Sequence, residues 1–122
     1  MKTLIRLGIA FAATAALALA INDYRGQLMD ASCYNRNATN TGQRIWVRCA
    51  PTDATTAFAI HTEGRIRMLD PGGNVKAIAA VKGGYLKRDA SGDFPVVIDG
   101  TRHGNTIQVE GIRARGSEVS VH

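Results

Sequence analysis

Apolar residues recur at every second position in several short stretches of this chain, and that period commits them to β-strands. Phe58 and Ile60 alternate with Ala59 and His61, Ile66 and Met68 with Arg65 and Arg67, and Ile107 and Val109 with Gln108 and Glu110. Successive side chains of a strand point to opposite faces, so each stretch offers one apolar face and one more polar one. Tyr24 to Asp30 reads the same way, with Tyr24, Gly26 and Leu28 on one side and Arg25 and Gln27 on the other. Phe94 to Ile98 is a continuous apolar strand, and Pro95 lies near its start, where a missing N–H does least harm. Gly26 suggests a bend. Gly111 breaks the last alternation and Ile112 resumes it out of phase, the mark of a bulge.

One stretch breaks the period of two. Val75, Ile78 and Ala79 fall at i, i+3 and i+4, which predicts a short helix with that face apolar. Asp70 or Asn74 is placed to cap its start, and Gly83-Gly84 to end it. Elsewhere the residues predict connections. Ser32 to Arg44, rich in Asn and Thr, reads as a surface loop, followed by a short extended segment at Ile45-Trp46-Val47. Pro51 to Thr56 reads as a turn or short helix, Tyr85 to Asp93 as a loop, and Asp99 to Asn105 as a turn. The order is strand, long loop, strand, strand, helix, strand, strand. It predicts a mainly β domain: a five-stranded OB-like barrel with one short helix between strands 3 and 4. An open meander with a helix on one face is the alternative.

The N-terminus sets the compartment. Lys2 and Arg6 precede an uncharged run, Leu7 to Ala20, that ends Ala18-Leu19-Ala20. Basic start, short apolar run and small-residue exit predict a signal peptide helix over residues 1–20, and so a periplasmic or secreted protein. The run is shorter than the roughly 20 residues that a membrane span needs. No integral span is expected after cleavage. The rest is about 100 residues, one domain with a modest core. It divides into residues 21–115, the barrel, and a flexible tail over 116–122. The net charge of +5 falls to +3 without Lys2 and Arg6, a mild basicity that alone is no nucleic-acid signature. The two cysteines, Cys33 and Cys49, read as a disulfide in an oxidising compartment, with two free thiols as the alternative. Closing that loop would contribute about 3 kcal/mol.

Three stretches together carry a resemblance. They are Gly26-x-Leu28-x-Asp30-x-x-Cys33 with Cys49; Ile66-x-x-Leu69-Asp70-x-x-Gly73-Asn74; and Val96-x-Ile98-x-Gly100 followed by Asn105-Thr106-Ile107-x-Val109-x-x-Ile112. In their order and spacing the chain resembles a family of small exported bacterial proteins of unknown function with an OB-like β-barrel. It departs from them in the long gap between its cysteines and in the insert Tyr85–Asp93. The resemblance implies export and architecture, and brings no catalytic residue with it.

The reactive constellations are few. Cys33, Cys49, His61 and His103 have the right chemistry for a metal, but none of the close pairs that structural zinc sites use, so no metal or other cofactor is expected. There is no G-x-S-x-G or H-E-x-x-H motif. His61 and His103 read as solvated histidines, and Asp30, Asp70 and Asp99 as caps or turn residues. Aromatic residues are too sparse for the stacking platform of a nucleic-acid groove. Small barrels of this kind bind through strands two and three, here Phe58 to Leu69. That puts Trp46, His61, Arg65 and Arg67 forward as ligand-binding candidates. The simpler readings are that Trp46 covers one end of the barrel and that Arg65 and Arg67 form a solvated strand face. The expectation is an exported, non-catalytic binding or structural module of the bacterial envelope. Its partner would be a small anionic ligand, a glycan or an envelope protein. A small secreted hydrolase or nuclease using a histidine and an aspartate is the alternative.

Overall fold

The computed structural model describes residues 21–37 and 44–116. The expected signal peptide over 1–20, and the expected flexible tail from residue 117 on, lie outside the described residues. Among those described, no helix is long and apolar enough to cross a membrane.

All five expected strands form. They are β1 (Asn22–Asp30), β2 (Phe58–Thr62), β3 (Arg65–Leu69), β4 (Pro95–His103) and β5 (Thr106–Ala114). They make one mixed sheet in the order β1-β2-β3-β5-β4, and β4 pairs back onto β1, so the hydrogen bonds run in a ring. Every pairing is antiparallel except β3 with β5, which is held only at Met68–Thr106 and Leu69–Ile107. Inside the ring Leu28, Phe58, Ile60, Val96, Ile98 and Ile107 are almost wholly buried. Each contributes about 2 kcal/mol by leaving water. Gly26 of β1 lies close against the backbone of β2. A Cβ there would run into the backbone carbonyl of His61, so only glycine fits.

The bulge is present. Asp99 faces Gly111 and Gly100 faces Val109, which leaves Glu110 without an opposite residue. The expected turn over Asp99 to Asn105 is mostly strand: β4 runs on to His103, pairing with β5 out to Thr106. Thr101, Arg102 and His103 lack an apolar pattern because that end of the hairpin projects into solvent.

The polar stretch after β1 is not a plain loop. Ala31–Arg36 is helix α1, and Ile45–Arg48, expected to be extended, is helix α2. Asp30 caps α1, its Oδ1 accepting from the Cys33 amide at 3.0 Å while its Oδ2 accepts from the Thr55 hydroxyl at 2.8 Å. Cys33 and Cys49 form a disulfide with their Cα atoms 5.5 Å apart, clamping α1 to the residue that ends α2. The Asp30 amide donates to the Cys49 carbonyl at 2.7 Å and the Ala31 amide to the Ala57 carbonyl at 2.9 Å. Short helices such as these are unstable alone. Cap, disulfide and backbone bonds hold them on the outside of the ring.

Under them lies a second apolar cluster of Met29, Ala31, Ile45, Cys49 and Ala59, with Ile66 and Met68 packed against it. This reverses the expected facing of β3. Ile66 and Met68 turn outward beneath the disulfide layer, whereas Arg67 pairs with Ile60 of the inner core. Arg67 reaches the Gly104 carbonyl at 3.4 Å, at the tip of the β4–β5 hairpin.

Helix α3 (Pro71–Lys82) lies between β3 and β4. Asp70 is its cap, as one of the two candidates expected. Of the expected apolar face only Ile78 packs against the core, while Val75 and Ala79 are exposed. Val75 is 67% exposed, and the residues against the sheet are Gly73 and Ala77, with Ile78, Ala80 and Val81 partly buried. The helix approaches β5 so closely at Gly73 that a Cβ there would overlap Val109.

Candidate functional site

The four ligand-binding candidates do not share one surface. Trp46 and His61 come together on the outer face, their rings stacked with centroids 4.6 Å apart. Arg65 and Arg67 alternate with Ile66 and so lie on the opposite side of β3. Trp46 is not over an end of the ring. It packs with the outer cluster, and its Nε1 donates to Asp93 Oδ1 at 2.9 Å. Arg44 donates to the same oxygen at 2.8 Å, and these two bonds hold the Asp93 carboxyl below its ordinary value. Disulfide layer and Tyr85–Asp93 loop are thereby tied together, and the Arg88 guanidinium adds a bond to the Val47 carbonyl. The strand face on which small barrels bind ligands is roofed by the chain's own insertion.

His61 is half-buried rather than solvated, and burial lowers its pKa. His103 is exposed and its Nε2 meets Gln108 Oε1 at 3.1 Å. Among the described residues neither histidine is ion-paired with a carboxylate. Asp30 and Asp70 are caps, as expected. Asp99 is not a turn residue but lies within β4, across from Asp23 of β1. The Arg113 guanidinium bonds Asp99 and stands 4.0 Å from Asp23. Hydrogen bonding to Asp99 and repulsion from it raise the Asp23 pKa. Burial works upward on Asp99 too, but hydrogen bonds from Asp23 and Arg113 outweigh it and hold Asp99 low. The two carboxyls and the arginine staple β1, β4 and β5 across their outer face. Among the described residues no group of three or more His, Cys, Asp or Glu could hold a metal ion.

A concave surface lies elsewhere, between α3 and β5. It is a groove of about 620 Å³, within the range that takes small organic ligands. Lys76, Ala79 and Ala80 form its helical wall. Gly111 to Ala114 form the strand wall, and Tyr85 and Leu86 contribute from the loop that follows the helix. Its origin is local. Asp70 Oδ1 accepts from the Gly73 amide at 2.9 Å and from the Val109 amide at 3.1 Å, which fastens the start of α3 to β5. Further along, Ala79 and Ala80 carry too little side chain to fill the space beside Ile112. Arg113 lines the groove with its stem while its head is engaged by Asp99. Among the described residues Lys76 makes no ion pair. From Pro71 to Arg88 the chain carries Lys76, Lys82, Lys87 and Arg88 and no acidic residue. Tyr85 is 78% exposed at the rim.

None of these groove residues is among the sequence-based candidates. The acid-free basic stretch and Tyr85 directly after Gly83-Gly84 are visible in the sequence, but neither places these residues beside β5. Compared with known proteins, the chain matches no family model, no curated protein and no solved structure.

Proposed function

We propose that this chain is an exported, non-catalytic binding module of the bacterial envelope, built on an OB-like barrel, and that its ligand is a small molecule held in the groove between α3 and β5. The observation that carries the reading is the groove itself, a mostly apolar cleft with Lys76 in its helical wall. The strand order, with one helix between β3 and β4 and a single parallel pair of β3 with β5, supports the OB-like architecture. The Cys33–Cys49 disulfide is compatible with an oxidising, periplasmic or extracellular setting and so supports export. The hydrolase or nuclease alternative gains nothing from the geometry: His61 is stacked on Trp46, and His103 contacts Gln108. Trp46, His61, Arg65 and Arg67 do not converge, so the groove replaces them as the principal candidate.

The uncharged dye Nile red tests the reading. Its fluorescence rises when the wild-type protein is added and saturates with one dye per chain. Ala79→Phe, which fills the groove from an exposed helical position, abolishes the rise while leaving the circular dichroism unchanged. A dye response that survives Ala79→Phe, or no response at all, rejects the groove as a ligand site.

A further inference from the structure

We propose that the groove takes a single-chain aliphatic carboxylate, its chain lying along β5 and its carboxylate meeting the Lys76 ammonium; this rests on the groove being the ligand site. The walls select the body of the ligand. The side chains of Ala79, Ala80, Leu86 and Ile112 offer aliphatic contact and carry no hydrogen-bonding group. A glycan needs many side-chain donors and acceptors, and this lining supplies few. The strand wall, Gly111 to Ala114, runs for about 10 Å, the rise of a strand over three steps. A slender unbranched chain suits such a slot.

The charges select the head. Lys76 lines the groove without an ion pair among the described residues, and Arg113, the other cation there, is already held by Asp99. One ammonium at the rim is a point charge that matches a single carboxylate. A phosphate would call for several donors, as an arginine fork provides. Lys76 is thus the cation of the lining that is left for an anionic head, because Arg113 answers the charge of Asp99 beside Gly111.

Displacement of Nile red from the wild-type protein is the test. Decanoate displaces the dye, and its methyl ester requires about tenfold more, the loss expected when a charged hydrogen bond is removed. From hexanoate upward each added methylene strengthens displacement by about fourfold until the slot is full. Lys76→Met, which keeps an apolar stem, removes the preference for acid over ester. Lys82→Met, outside the lining, keeps it. Equal displacement by acid and ester in the wild type overturns the proposal, as does a preference that survives Lys76→Met. Binding to phosphatidylglycerol vesicles with no displacement by monomeric decanoate also overturns it, in favour of a membrane surface. In those cases the dye still binds, and the groove stands as a site for some other ligand. Failure of the dye itself removes both readings.

Discussion

Asp23 and Asp99 face each other across β1 and β4, and their carboxyls are shifted in opposite directions. The hydrogen bond with Asp99, and repulsion from it, raise the Asp23 pKa, so the folded chain holds the Asp23 proton more tightly than the unfolded one. A carboxyl raised by folding favours the native state most at acid pH and detracts from it as pH rises through the folded value. Asn at position 23 presents an N–H to Asp99 with no charge of its own. Asp23→Asn is therefore expected to raise Tm at pH 7, with the gain shrinking as pH falls through the raised folded value and gone below about pH 4, where the wild-type carboxyl is protonated in both states. Differential scanning calorimetry across that range checks it, and an unchanged or lower Tm at pH 7 would count against the shared-proton pair. His61 works in the opposite sense. Burial lowers its pKa, so the fold keeps it neutral against Trp46. Its contribution is complete above about pH 6.5 and is lost as pH falls through the lower folded value. Tm should decline between pH 7 and pH 5, and His61→Phe, which keeps a ring beside Trp46, should flatten that decline.

At the scale of elements, the strands announced themselves because a period of two survives in the residues themselves. Phe58, Ile60, Ile107 and Val109 are large, and each step to the other face changes polarity or size. The limits of α3 were legible as well, from Asp70-Pro71 at one end and Gly83 at the other. Its facing was not. The helix residues that are buried are Gly73, which lies against Val109 of β5, and Ala77, the smallest available, and they carry almost no hydropathy signal. Val75, the apolar residue that suggested the other face, is left in solvent. Helices α1 and α2 were invisible for a related reason. Their stability comes from Cys33–Cys49, from the Asp30 cap and from contact with Met29 and Ala59, none of which is a property of the polar segment alone. The groove is assembled from a helix, a loop and a strand, so only tertiary structure brings it into view. The close seat of α3 on β5 gives the sharpest test at this scale. Gly73→Ala thrusts a methyl group into Val109, and overpacking of that kind costs about 1–3 kcal/mol. Chemical denaturation should show a lower midpoint with an unchanged slope, and Val109→Ala in the same chain should restore part of the loss by vacating the space.

Over the whole molecule the structure is two apolar layers that share the wall β1-β2-β3. The inner one fills the ring, with Phe58, Ile60 and Ile107 at its centre; the outer one lies between that wall and the disulfide-clamped helices. The inner layer draws on all five strands and on α3, whereas the outer one depends on a segment whose covalent closure is the bond between Cys33 and Cys49. Opening that bond releases a loop with a sequence separation of 16 and so restores chain entropy to the unfolded state, about 3 kcal/mol in the loop-closure model. For a domain of this size that lowers Tm by on the order of 10 °C. The two layers should respond differently. Trp46 belongs to the outer one, so reduction should shift its emission to the red and expose it to quenching by iodide. The ring loses no covalent tie and none of its strand pairing, so the β-sheet circular dichroism at 25 °C should persist after the tryptophan signal has changed. A reductant that moves both signals together would mean that the ring cannot stand without its cover, and that the outer cluster of Met29, Ala59 and Ile66 carries as much of the fold as the core inside.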